Sequence, residues 1–181
     1  MNYEKELIHK GKHLAFLLRH DADAFHAGLI DEHGWRSVKE LEKLGYTKKL
    51  LEDITATNNK QRYEFSDDKR KIRARQGHSI PVDVGLTEQC PPDVLYHGTT
   101  YDVYYNHIMK EGLVPMTRLY VHLSKDEETA TNVGKRHGKD VIIINIDAKR
   151  MYADGCKFFV SNNGVWLSKK VDPKYFLKIT D

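Results

Sequence analysis

Cysteine is nearly absent: Cys90 and Cys156 are the only two in 181 residues, far apart and without CxxC spacing. That excludes a disulfide-stapled scaffold and a zinc ribbon. It suits a reducing compartment, so a cytoplasmic location is expected. No apolar run approaches the roughly 20 residues that a membrane span needs. The opening string MNYEKELIHKGK has no apolar stretch of the kind a secretory signal carries. The GxGxxG fingerprint of a dinucleotide-binding crossover is missing, as are internal repeats and low-complexity tracts. Proline is sparse, and three of its five copies crowd into residues 76–93 together with two glycines.

Charge of one sign is also scarce overall, with a net charge of +3, but its distribution is uneven. Residues 1–80 hold 16 Lys and Arg against 13 Asp and Glu, whereas residues 81–181 hold 13 of each. Residues 60–75 alone carry seven basic and three acidic side chains. Such a stripe is a weak footprint for a polyanion, and a solvated hairpin explains it equally well.

Periodicity divides the chain in two. Leu7, Gly11, Leu14 and Leu18 share a helical face, which predicts a helix over residues 4–20. Residues 28–35 read as an extended piece and turn. Ser37 and Glu40 form an S-x-x-E capping box ahead of Val38, Leu41 and Leu44, and Thr47 can cap a third helix carrying Leu50, Leu51 and Ile54. Residues 62–65 and 71–75 flank a polar turn and predict a β-hairpin. Three helices and then a hairpin is the order of a winged-helix lobe, expected over residues 1–80. Residues 81–92 form the expected connector. Beyond it, strands are expected at 94–97, 120–124, 140–146, 157–161 and 164–168, with helices at 101–111 and 126–136. The β-branched run Val141 to Ile144 suits a strand buried on both faces. Residues 93–181 therefore predict a second lobe, and the fold class is α+β.

Five strings carry chemistry: LLRH at 17–20, QRYEFSDD at 61–68, RQGHS at 75–79, YHGTT at 96–100 and RLYVHLS at 118–124. Arginine forks match phosphate oxygens, so Arg19, Arg62 and Arg118, with His20, suit a phosphorylated substrate. A helix-end cap is the bland alternative for Arg19 and His20. In YHGTT the chain turns at Gly98, where a missing side chain lets backbone meet a ligand. VHLS alternates, putting His122 and Ser124 on one side. His9 and His13 have i,i+4 spacing but no matching Cys or carboxylate, so no metal is expected. Trp35 and Trp166 read as core residues rather than stacking platforms.

The ordered set of strings resembles the NAD-dependent RNA (tRNA) 2′-phosphotransferase family. The matches are LLRH (17–20), GL-x-D-x-x-GW (28–35), QRY (61–63), IRA-x-QGHS (72–79), LYHGT (95–99), VHLS (121–124), VG-x-RHG (133–138) and NGVWL (163–167). Each alone is weak; eight in order over nearly the whole chain are specific. Two departures are Leu119-Tyr120 after the fourth arginine, where histidine often comes first, and a slightly short spacing before Gly34-Trp35.

The resemblance implies an N-terminal winged-helix RNA-binding lobe and a C-terminal ADP-ribosyltransferase-like, NAD-binding lobe. It implies a catalytic tetrad of Arg19, His20, Arg62 and Arg118, and a His97, His122 and Val165 triad in the transferase lobe. Gly98 is expected to hold the nicotinamide amide, and His97, Thr99, His122 and Ser124 to line the NAD ribose and diphosphate. Arg136 and His137 are open between ligand contact and helix-end roles. NAD+ is consumed and no metal is required; the partners expected are 2′-phosphorylated, tRNA-like RNA and NAD+, with no membrane and no obligate protein partner. Two rivals are another ADP-ribosyltransferase, one that caps nucleic-acid terminal phosphates or modifies protein, and a non-enzymatic winged-helix regulator with NAD as effector.

Overall fold

In the computed structural model, residues 3–58 and 60–180 are described. The chain divides into two compact units, Met1–Gly85 and Leu86–Asp181.

The first unit contains α1 (Tyr3–Arg19), α2 (Ala22–His26), β1 (Arg36–Ser37), α3 (Val38–Lys43), α4 (Lys48–Thr57), β2 (Tyr63–Phe65) and β3 (Lys71–Ala74). The apolar face read from α1 is buried: Leu14 and Leu18 are fully covered and pack with Leu41, Tyr46, Leu51, Ile54, Tyr63 and Ile72. The hairpin forms with Tyr63 opposite Ala74 and Phe65 opposite Ile72, and β1 adds to the other side of β3. Trp35 is half-buried and carries the Arg73 guanidinium 4.3 Å above its ring. Thr47 caps α4, accepting from the Leu50 amide at 3.2 Å.

The capping box at Ser37 does not form. Ser37 makes no side-chain bond to α3; its backbone belongs to β1, paired with Lys71, and Glu40 is bonded to Lys43 instead. The short helix α2 stands between α1 and the piece expected to be extended. It is started by Asp21, whose carboxylate accepts from the Ala24 amide at 3.0 Å.

The second unit contains β4 (Thr87–Glu88), β5 (Val94–Thr100), the helical turns α5 (Tyr101–Val103) and α6 (Met109–Glu111) on either side of a π turn (Tyr104–Ile108), β6 (Val121–Leu123), α7 (Glu127–Gly134), β7 (Val141–Asp147), α8 (Ala148–Ala153), β8 (Phe158–Val160), β9 (Trp166–Ser168), a 3-10 turn (Pro173–Tyr175) and β10 (Phe176–Thr180). One antiparallel sheet has the order β10-β7-β5 and another β4-β8-β9-β6. A lone bridge between Tyr96 and Ser124 ties β5 to β6. The Ile142 to Ile146 stretch is buried throughout in the central strand β7, as its β-branched composition requires. Trp166 packs against this unit's core.

Elements unforeseen from the sequence are short or lack a clean period. They include β4, whose two residues lie in the proline-rich segment, and the six-residue α8, started by the Asp147 carboxylate on the Arg150 amide. The structure is mixed α and β, with helices and sheets in both units. Among the described residues, no helix is long and apolar enough to cross a membrane.

Candidate active site

In the first unit, α1 delivers Arg19 and His20 from its C-terminal end. A helix end leaves carbonyls without intrahelical partners, and here three of the last four have partners. The Phe16 carbonyl takes the His20 amide, and the Leu17 carbonyl takes Arg36, which also pairs with Asp21 at 2.8 Å. The Arg19 carbonyl takes the Ser79 amide at 3.0 Å. The IRA-x-QGHS string is thus laced onto the end of α1, and Arg19 is held 9% exposed.

Ser79 does more than brace the backbone. Its hydroxyl lies 2.9 Å from His20 Nδ1, fixing the ring so that Nε2 points elsewhere. Arg62 arrives on the other side from the turn ahead of β2. Asn58 Oδ1 accepts from both the Arg62 amide and its Nη1, and Gln61 adopts φ 42°, a conformation uncommon outside glycine. The positive charges of Arg19 and Arg62 both act on the Tyr63 phenol, opposing the rise in its pKa that burial causes. Arg19 and His20 likewise both act on His78, whose pKa falls to about 3, chiefly because burial disfavours its charged form. The charge of Arg19 thus reaches both Tyr63 and His78, with Arg62 acting on the first and His20 on the second. Sequence reasoning passed over Ser79, Asn58 and His78; the first and last lay within a string already marked, but nothing in their spacing revealed a role.

His13 belongs to a different arrangement. Its Nδ1 lies 2.8 Å from the Tyr46 hydroxyl, which donates to the Lys10 carbonyl. Burial pushes Tyr46 up to about 12.

In the second unit the candidate residues line the junction of β5 and β6. Hydrogen-bonding direction alternates along a strand. Tyr96 exchanges both backbone bonds with Ser124, just after β6, while Tyr101 donates to Asp140 on the β7 side. Gly98 shares the orientation of Tyr96, so its amide and carbonyl point away from β7, along the edge of the sheet that β6 only touches. Its lack of a side chain has a steric cause that the sequence reading did not foresee. A Cβ there would stand 1.9 Å from the Ala130 carbonyl oxygen of α7 and 3.1 Å from the Gly134 amide. Glycine lets α7 lie directly on β5.

His97 Nδ1 donates to the His122 carbonyl at 3.1 Å. His97 is half-exposed by surface area yet densely surrounded, and that desolvation lowers its pKa; the His137 charge adds in the same direction. Thr99 is 5% exposed. Arg118 ends a turn in which its amide bonds the Pro115 carbonyl, and its Nη1 lies 3.2 Å from His122 Nδ1. Val165 sits in the β8–β9 turn, held by three bonds to Ser161, one residue before Trp166, which pairs with Leu123. Arg136 and His137 are exposed just beyond α7.

The sequence match is as extensive as the geometry suggests. A family model described as RNA 2′-phosphotransferase, Tpt1 / KptA family, matches residues 5–170. The chain belongs to that family. A protein of Fusobacterium nucleatum called a probable RNA 2′-phosphotransferase is 44% identical over 171 residues, 91% of this chain and 94% of its own length. Proteins with the same description match from Flavobacterium johnsoniae, at 46% over 91% of this chain and 92% of theirs, and from Rhodopirellula baltica, at 43% over 97% of each.

Proposed function

We propose that this chain moves an internal RNA 2′-phosphate to NAD+, using its first unit as a winged-helix RNA-binding lobe and its second as an ADP-ribosyltransferase-like lobe. The observation that carries the NAD+ half is the Gly98 backbone. An amide and a carbonyl side by side on a strand edge complement a carboxamide, which has one acceptor oxygen and two donor hydrogens. The neighbouring His97 Nε2 is an acceptor for a ribose hydroxyl, since its Nδ1 proton is committed to the His122 carbonyl. Thr99, Ser124 and Val165 complete the lining.

The reaction runs in two steps. The 2′-phosphate, already largely dianionic near neutral pH, attacks the nicotinamide ribose C1″ and expels nicotinamide, so no general base is needed. The ribose 2″-hydroxyl then attacks the phosphorus of the RNA-2′-phospho-ADP-ribose intermediate. The 2′-oxygen leaves to give 2′-hydroxyl RNA, and ADP-ribose 1″,2″-cyclic phosphate is released. Arg19, His20, Arg62 and Arg118 bind the phosphoryl oxygens, and Arg62 and Arg118 serve the second step, in which charge accumulates there. The helix order followed by the β2–β3 hairpin supports the RNA-binding assignment, as does membership of an RNA 2′-phosphotransferase family.

The test is product analysis on a short RNA with one internal 2′-phosphate, with and without NAD+. NAD+-dependent loss of the phosphate with release of the cyclic product is expected. Arg62→Ala and Arg118→Ala are each expected to slow the second step ~10²–10³-fold and let ADP-ribosylated RNA accumulate. Lysine at either position should rescue poorly, because it lacks the bidentate fork. Equal slowing of both steps would remove this division of labour. ADP-ribose left on a terminal phosphate would favour the capping reaction.

A further inference from the structure

The contact between Arg118 and His122 fixes more than a distance. A guanidinium has only N–H donors and keeps its charge in any protein. At 3.2 Å the shared hydrogen therefore belongs to Arg118 Nη1, and His122 Nδ1 contributes a lone pair. An imidazole with a bare Nδ1 is neutral and carries its proton on Nε2. One strand away the logic runs in reverse. The His122 carbonyl can only accept, so His97 holds its proton on Nδ1 and leaves Nε2 as an acceptor. Two histidines on neighbouring strands, which sequence alone makes equivalent, are locked in opposite tautomers.

We propose that Arg118 is a positioning residue for the NAD+ pocket as well as a phosphate ligand: it holds His122 as the neutral Nε2–H tautomer, so that the pocket offers one acceptor, from His97, and one donor, from His122. This rests on the NAD+ reading given above. A ribose presents hydroxyls that each donate once and accept, so an acceptor and a donor together satisfy it, whereas two acceptors or two donors would face a mismatch. Only one of the five guanidinium N–H donors is used on His122, which leaves the fork available to a phosphate. Charge on the RNA side and hydrogen-bond polarity on the NAD+ side are thereby set by one residue.

The spectroscopic signature of a tautomer is a readout that a merely structural role would not move. Two-bond nitrogen–proton correlation spectra of the full chain labelled with ¹⁵N-histidine, with His122 assigned from His122→Gln, should show a bare Nδ1 and a protonated Nε2 in the unaltered protein at neutral pH. In Arg118→Ala the His122 signals should move to an averaged pattern, and NAD+ affinity measured without RNA should fall ~3–10-fold, the worth of one hydrogen bond. Arg118→Lys, which keeps a donor, should restore the tautomer and NAD+ affinity but not RNA dephosphorylation. A proton on His122 Nδ1 in the unaltered protein overturns the proposal, as do unchanged His122 signals or unchanged NAD+ affinity in Arg118→Ala. Failure of the NAD+ reading would show separately, as no NAD+ binding by the unaltered protein, and the spectrum does not depend on it.

Discussion

The two units each hold a histidine of lowered pKa beside their candidate residues, with desolvation the chief cause in both, but the groups around the two rings differ. His78, 3% exposed, sits among the positive charges of Arg19, His20 and Arg73, and its Nε2 has no hydrogen-bond partner among the described residues. His97 sits against a carbonyl, with its proton placed by a directed bond. The first unit surrounds its histidine with cations. The second presents uncharged donors and acceptors on a sheet edge, at positions set by close backbone packing. A polyanion needs field strength, which depends weakly on angle; a dinucleotide needs direction. Under the function proposed above, the different construction of the two units matches that difference in ligand.

The largest expected effect tests the packing in the second unit. Gly98→Ala places a methyl 1.9 Å from the Ala130 carbonyl and 2.7 Å from its carbon, both backbone atoms that no rotamer change can clear. Lifting α7 off β5 should cost more than about 4 kcal/mol. The counterpart in the first unit is Gly11, where an added Cβ meets only Ile54 Cγ2 at an ordinary 3.6 Å. Gly11→Ala in the middle of α1 should stabilise by ~0.5–1 kcal/mol. Each unit holds one tryptophan, Trp35 or Trp166. Urea unfolding followed in Trp→Phe backgrounds can therefore read the units separately. If Gly98→Ala unfolds no earlier by Trp166 fluorescence, the close approach of α7 is not what requires glycine there.

Acid should act next. The folded pKa of His78, about 3, lies below its ordinary value of 6.5, so the unfolded state binds the extra proton between them. Stability from this group is complete above pH 6.5 and falls as the solution is acidified towards pH 3, by roughly 3 kcal/mol at pH 4. The carboxylates held low, Asp21 and Asp31 in this unit, lose their contribution only below about pH 3.8, outside most of that window. His97, also depressed, acts with the same sign in the second unit. His78→Leu should flatten the pH 4–6.5 dependence seen through Trp35 and leave that seen through Trp166. An unchanged slope at Trp35 would mean that His78 is accessible to protons in the folded state.

Most of the architecture was legible because its signals were periodic or steric. The α1 face at Leu7, Leu14 and Leu18, the buried run in β7 and the β2–β3 hairpin all follow from spacing alone. So did the candidate site at the level of strings, since Arg19, Arg62, His97 and His122 stand in marked motifs. The wiring was not legible. Ser79 on His20, Asn58 on Arg62 and Arg118 on His122 are contacts that only the folded backbone decides. The steric need for Gly98 was not legible for the same reason: spacing does not show that a helix 32 residues later lies on this backbone.

The smallest effect separates a local rule that held from one that did not, both in the first unit. Thr47 and Ser37 are each N-terminal to a short helix and each hydroxylated. Thr47 Oγ1 accepts from Leu50 at 3.2 Å, so Thr47→Ala should destabilise by ~1 kcal/mol. Ser37 fits the longer S-x-x-E pattern yet makes no cap bond, because pairing with Lys71 in β1 sets its backbone and Glu40 is taken by Lys43. Ser37→Ala should therefore fall within about ±0.5 kcal/mol of neutral. The helix-opening amides at Ser37 are partly served from elsewhere: the Val38 amide donates to the Arg70 carbonyl at 2.8 Å. Tertiary pairing has replaced the cap. Equal losses at Ser37 and Thr47, read through Trp35, would show that the hydroxyl matters at both positions and that the hairpin does not substitute for it.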